Sequence, residues 1–249
     1  MTRRRYLKTR SIAVAAAVAG MLAAGAAVAA PVPTHSDVSY SGKYKRSTLD
    51  FWQAESEGPA PLVIYFHGGA FRTGDKSSFR KSKLLSRYYP KGISFASVNY
   101  PFLESASYGE IVEHVAKAVQ FLKDKAPDWN IDVTRIAVAG ASSGAVICEY
   151  LTYWKELDIT CCFAIEQPSQ SEFLLAGIEN GEAPLVVYTR SRAGDAVHDP
   201  EQAKIFKKHC DTVGVKCEIY GTGDNGLPAV PDGETIEDIV MECFYRCWK

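Results

Sequence analysis

Histidine is scarce in this chain: five in 249 residues, at His35, His67, His114, His198 and His209. Chemistry that needs an imidazole therefore has few places to draw one from. No phosphate-binding glycine fingerprint stands in the strand-to-helix setting that nucleotide cofactors require. Seven cysteines are present (Cys148, Cys161, Cys162, Cys210, Cys217, Cys243 and Cys247), but spacings such as Cys161-Cys162 and Cys243-x-x-x-Cys247 match no zinc pattern. No metal or organic cofactor is expected. A strong excess of either charge is also missing, with 28 Lys and Arg against 29 Asp and Glu. Five of those bases and none of the acids fall in the first 30 residues, leaving 23 bases against 29 acids, a net of −6, for the rest. Such a body lacks the basic face that nucleic-acid phosphates need, so no nucleic-acid partner is expected.

What is present fits a globular chain: 47% hydrophobic and 11% aromatic residues. The N-terminus reads as an address. Arg3, Arg4, Arg5 and Lys8 precede an uncharged Ala/Val-rich run over 12–30, and Ala27-Val28-Ala29 supplies the small residues of a cleavage site. Residues 2–8 resemble a twin-arginine export signal. The expectation is a signal peptide over 1–29 and an exported protein, periplasmic or extracellular in a bacterium, with no stable membrane insertion after processing. Residues 30–47 form a tether or a first strand, and 48–249 one domain. An exported chain can carry disulfides, for instance between the Cys210/Cys217 region and the last helix. The odd cysteine count leaves at least one thiol over unless a partner chain contributes.

Beyond residue 47, short β-branched runs alternate with longer helical patterns. Strands are expected at 48–54, 62–66, 94–100, 135–139, 161–166, 185–189 and 215–220, and helices over 76–89, 107–125, from the Gly-rich turn at 140–144 to about 154, over 200–213 and over 234–248. Ile111, Val115, Ala118, Val119 and Leu122 have helical spacing, and Pro127 lies past that helix's end. Strands separated by helices imply mostly parallel pairing, with helices on both faces of one sheet. In such α/β sheets function sits beyond the carboxyl ends of the strands.

Two glycine-rich motifs fall at such ends. Gly140-x-Ser142-x-Gly144 follows one strand directly and opens a helix, the setting of a nucleophile elbow that exposes a serine hydroxyl. His67-Gly68-Gly69-Ala70-Phe71 ends an earlier buried strand. Peptide N–H groups of Gly68, Gly69 and Ala70, with that of Ser143, can converge on an oxygen that becomes negative during acyl transfer. His67 is expected to brace its loop. Phe71, Tyr100, Phe102 and Tyr108 lie near this edge and can stack on a sugar or phenolic ring, although such residues more often serve the core.

In this order the two motifs, with Pro127-Asp128-Trp129-Asn130-Ile131-Asp132 leading into the elbow strand, resemble the α/β-hydrolase superfamily, in particular its esterase/lipase branch with His-Gly-Gly loops. The resemblance runs from about Leu49 to the C-terminus. It implies an α/β-hydrolase fold, ester hydrolysis through an acyl-enzyme on Ser142, a small-molecule or carbohydrate ester as substrate, and the chain order nucleophile, acid, histidine. Ala70 stands where the branch has a third glycine. The stretch between Glu166 and Leu185 is too short for a large cap domain, so an open site is expected.

Asp195, in Gly194-Asp195-Ala196-Val197-His198-Asp199-Pro200, matches the family's acid position, while Asp199 reads as the cap of the following helix. The histidine position departs from the pattern: in Tyr220-Gly221-Thr222-Gly223-Asp224-Asn225-Gly226 it holds Asn225. An amide cannot take the serine proton at neutral pH. Of the five histidines only His198 falls on a loop at the catalytic edge. Three readings follow: His198 is the base, oriented by Asp195 or Asp224; the serine works without a proper base; or the fold is a catalytically degenerate binding protein.

Overall fold

The computed structural model describes residues 30–249, so the export signal expected over 1–29 lies outside the described residues. In chain order the elements are β1 (His35–Ser39), β2 (Thr48–Trp52), β3 (Ala60–Phe66), α1 (Lys83–Tyr88), β4 (Ser94–Val98), α2 (Tyr108–Asp124), α3 (Ala126–Trp129), β5 (Ile131–Ala141), α4 (Ser143–Tyr153), β6 (Cys161–Ile165), β7 (Leu185–Thr189), α5 (Glu201–Val213), β8 (Cys217–Gly221) and α6 (Ile236–Cys247). The eight strands form one sheet in the order β1-β2-β4-β3-β5-β6-β7-β8. Pairing is parallel from β4 through β8 and antiparallel for β1–β2 and β2–β4. This is the single-domain α/β-hydrolase fold. Of the two readings of residues 30–47, part of the stretch is a first strand, held at the sheet edge by pairs such as Val38↔Leu49.

Strand side chains alternate between two cores, as the period of two requires. Leu62, Ile64, Phe66 and Val138 meet Val115, Val119, Ile147 and Phe206 on one face. Val63, Ala137, Phe163 and Val186 meet Leu85, Val240 and Phe244 on the other. The central strand β3 is buried at six of its seven positions, as expected of a parallel strand covered on both sides. A capping box, Ser107 with Glu110, starts α2 where the helical pattern begins.

Two expectations need correction. The helix over 76–89 is broken: a 3-10 turn spans Lys76–Lys81, Ser82 is extended and caps Leu84 N–H, and only Lys83–Tyr88 is α-helical. The cause is tertiary. Lys76 is drawn into the interior, its Nζ 2.5 Å from buried Asp50 Oδ1 and its N–H 2.7 Å from Asn99 Oδ1. A disulfide between the Cys210/Cys217 region and the last helix is ruled out by the sheet itself. Cys210 and Cys217 belong to the core on the α5 face, and Cys243 to the core on the α6 face.

The chain steps from β3 to β4 on one side and then back across β3 to β5. That reversal is a topological switch point, where crossovers diverge and leave a crevice. The loop after β3 and the turn after β5 meet there. Between β6 and β7 only a 3-10 turn, Glu172–Gly177, intervenes, so among the described residues no cap domain covers the crevice.

Candidate active site

Ser142 occupies the turn between β5 and α4 with φ +54° and ψ −119°, a backbone state costing a non-glycine residue about 1–3 kcal/mol. The surroundings allow no alternative. A Cβ on Gly140 would fall 2.2 Å from Gly144 O, and one on Gly144 would fall 2.1 Å from Phe66 O. Strand, turn and helix therefore approach closely only because both flanks lack side chains. The turn is pinned to the next strand by Ser142 N–H donating to Ile165 O at 2.8 Å.

The His67–Phe71 loop lies directly against this turn. A Cβ on Gly68 would come within 2.8 Å of Ala141 O and 3.2 Å of Ser142 Cβ. Gly69, Ala70 and Phe71 all have positive φ, and Gly69 O accepts from Arg72 and Thr73 N–H at 2.9 and 3.0 Å. Among the described residues the N–H groups of Gly69, Ala70 and Ser143 donate to no protein acceptor, which leaves them free for a bound oxygen. His67 stacks on Tyr100 with ring centroids 4.4 Å apart and donates from Nδ1 to Gly68 O at 2.7 Å. Burial holds its pKa below the usual histidine value, so it remains a neutral brace. A Gly68→Ala variant is expected to displace the loop from the turn. Turnover should fall about 10- to 100-fold with KM nearly unchanged, as steady-state kinetics would read, because only the developing charge loses its donor geometry.

The structure brings Ser142 and His198 together: His198 Nε2 lies 2.9 Å from Ser142 Oγ. The loop after β7 thus carries an imidazole to the serine across the edge of β6. Asp195 does not hold the ring. Its Oδ1 accepts the N–H groups of Val197 and His198 at 2.9 and 2.8 Å, folding the loop so that the next side chain turns inward. Those two donors keep its pKa below the ordinary carboxylate value, with the nearby Arg192 charge contributing less. Asp224 is not a partner either, because its carboxylate is engaged by the Thr222 hydroxyl on its own loop. Among the described residues no group hydrogen-bonds to His198 Nδ1. Asp199 stands one residue before Pro200, the N-cap position of α5, and its carboxylate accepts Glu201 N–H at 2.9 Å and Gly194 N–H at 3.1 Å.

Asn225, in the histidine position of the resemblance, is buried and structural. Its Nδ2 donates to Thr189 O at 2.8 Å and Ser191 O at 3.0 Å, and Leu227 N–H reaches its Oδ1 at 3.3 Å. It ties β8's loop to the root of the loop carrying His198. Two further anchors had no signal in the sequence. Glu166 Oε1 accepts Arg190 N–H at 3.1 Å and its Oε2 accepts the Ser191 hydroxyl at 3.1 Å. Ser169 N–H donates to Val197 O at 2.8 Å, one residue before the imidazole. Each joins segments distant in the chain, so spacing alone could not reveal them. The other histidines are elsewhere: His35 stacks on Trp129, His114 Nε2 lies 2.7 Å from Ser47 Oγ, and His209 Nε2 lies 3.0 Å from Ile178 O.

Of the aromatic residues near the edge, Phe71, Tyr100 and Phe102 are buried and Tyr108 is partly exposed. Tyr108 sits edge-on to both Phe71 and Phe173, the latter half-exposed on the β6–β7 connection. That wall, with Phe173 unforeseen, borders the open side.

Two turns along α4 from the serine, Glu149 is fully buried, its Oε2 accepting Gln167 Nε2–H at 2.8 Å and its Oε1 without a partner. Burial pushes its pKa well above the carboxylate range. The native state then keeps a proton that the unfolded state releases, so stability falls as pH rises above the unfolded-state value of about 4.3. Glu149→Gln should flatten that dependence. Its Tm is expected to exceed that of the parent at pH 7 and to approach it near pH 4, as thermal unfolding across pH would show.

A strained serine at a strand-to-helix turn, a glycine loop with free N–H groups and an imidazole at the serine define a site of the α/β-hydrolase class. The BD-FAE family model matches residues 49–210, well over half of the chain, and the chain belongs to that family. Among solved structures it resembles a truncated carbohydrate esterase from gut microbiota, with a TM-score of 0.71, 13% identity, and coverage of 90% of this chain and 99% of that one. An inhibited esterase B from Lactobacillus rhamnosis gives a TM-score of 0.67 at 14% identity, covering 86% of each chain. A propionate-bound thermophilic esterase from Thermogutta terrifontis gives 0.64 at 11% identity, covering 84% of this chain and 90% of that one. At such identities these likenesses speak for the fold.

Proposed function

We propose that the protein is an exported serine esterase of the carboxylesterase type, acting on small or carbohydrate-linked esters, with Ser142 as nucleophile and His198 as general base. The observation that carries this reading is the 2.9 Å contact between His198 Nε2 and Ser142 Oγ, which a protein that only binds has no need to build. In the first step Ser142 Oγ attacks the ester carbonyl carbon while its proton passes to Nε2. The oxygen that becomes negative is met by the N–H groups of Ser143 and of the Gly68–Ala70 loop. The imidazolium returns the proton to the departing alcohol. Water then repeats the sequence on the acyl-enzyme, giving the carboxylic acid and free Ser142.

With no hydrogen bond on Nδ1, the imidazolium relies on the Asp195 charge at longer range and on solvent. The absence of a cap leaves room for an alcohol portion as bulky as a sugar, and the esterase and carbohydrate-esterase neighbours support that choice of substrate. The Arg-rich, Ala-rich sequence of residues 1–29 supports export. Hydrolysis of short p-nitrophenyl esters and acetylated sugars, with fluorophosphonate labelling mapped to Ser142, tests the reading. A folded protein that labels at another serine, or whose hydrolysis survives Ser142→Ala, overturns it.

A further inference from the structure

The seven cysteines are not scattered. Cys161 opens β6, while Cys243 and Cys247, four residues apart, lie on one face of α6 where it crosses that strand. Their three Sγ atoms lie within 4.8 Å of one another, and Cys161 Sγ and Cys243 Sγ are 3.3 Å apart. Cys161 and Cys243 are buried, whereas Cys247 is partly exposed and opens the group to solvent. Trp248 Nε1–H donates to Thr160 Oγ1 at 2.9 Å, locking the end of α6 beside the start of β6. Cys161 pairs with Ala137, five residues before Ser142 along β5, so the trio sits toward the amino ends of the strands, away from the serine at their carboxyl ends.

Two chemistries can bring thiols so close. A disulfide uses only two of them, and Cys243 with Cys247 cannot supply it, since i, i+4 positions on a helix hold their Cβ atoms about 5–6 Å apart and a disulfide needs about 3.5–4.5 Å. Three thiolates around a tetrahedral ion at about 2.3 Å place their sulfurs about 3.8 Å apart, within the observed spread. Thiolate donors select soft or borderline cations. We propose that Cys161, Cys243 and Cys247 bind one Zn²⁺ ion, with solvent as fourth ligand, clamping α6 to the sheet. Binding would release the thiol protons as the three Zn–S bonds form, with no change of oxidation state.

The test uses the purified, reduced and metal-free protein. Zn²⁺ is titrated against a chromophoric chelator, and Cd²⁺ is added separately to read thiolate-to-metal charge-transfer absorption. The expected result is one ion per chain, with affinity at least 100-fold weaker in Cys247→Ser and unchanged in Cys210→Ala. Zn²⁺ should also raise the Tm of the parent protein and not that of Cys247→Ser, whose partly exposed position makes it the variant most tolerant of substitution. Binding below a tenth of an ion per chain, full affinity in Cys247→Ser, or a disulfide joining Cys161 to Cys243 in the protein as isolated would each overturn the proposal. None of these readouts depends on ester hydrolysis, so the outcome is independent of the role given to Ser142.

Discussion

His198→Ala is expected to lower kcat for ester hydrolysis about 10³-fold, a loss of about 4 kcal/mol of transition-state stabilisation, with KM changed little. Nε2 is 2.9 Å from Ser142 Oγ, whereas His35, His114 and His209 have partners elsewhere and His67, on the neighbouring loop, gives its Nδ1–H to Gly68 O. Fluorophosphonate labelling of Ser142 should slow in parallel, while thermal stability stays close to that of the parent, because His198 is only partly buried. A pair of Asp195 variants separates charge from loop shape. Asp195→Asn keeps an oxygen acceptor for the N–H groups of Val197 and His198 and should cost only a few-fold in turnover. Asp195→Ala releases both donors, lets the loop relax and should approach the His198→Ala loss. Equal effects of the two would mean that the carboxylate charge, rather than the turn it folds, positions the imidazole. A silent His198→Ala would mean that Ser142 works without this base, and a degenerate site would follow only if the parent were inactive and Asn225→His created activity.

Asn225→His is expected to reduce activity rather than complete a conventional triad. Asn225 is 3% exposed and packs on Gly221, where an added Cβ would already lie 2.3 Å from Asn225 Oδ1. One amide nitrogen serves two carbonyls, Thr189 O and Ser191 O, and a histidine ring nitrogen carries at most one hydrogen. The larger ring would leave at least one buried carbonyl unpaired, at about 1–3 kcal/mol, and would slacken the root of the loop that presents His198. A Tm lowered by about 5 °C and a kcat lowered about 10-fold are the outcomes to measure. An increase in kcat would show that the loop after β8 still reaches the serine and that His198 is not the sole route for its proton.

The alternation of strands and helices, the tight strand-to-helix turn at Ser142 and the glycine loop at Gly68–Ala70 were legible in the sequence, because each is a local device. Period-two and 3.6 patterns, capping boxes and glycine turns are written over a few consecutive residues, and the backbone has little choice at Gly140 and Gly144. The selection of His198 among five histidines could be reached by elimination. Its placement could not, since a loop of ten residues can lean either way until its ends are tied. The tertiary structure ties them: Glu166 and Asn225 hold one end at β7, Ser169 the other, and Asp195 turns the backbone between. The same reason explains the rest. The helix over 76–89 broke because Lys76 is pulled toward Asp50, 26 residues away, and the cysteine trio exists only because α6 crosses the start of β6, 82 residues from Cys161 to Cys243. Sequence alone determined what most segments are. Contacts between segments far apart in the chain decided which side chains meet, because their energies are realised only after loop closure has brought them together.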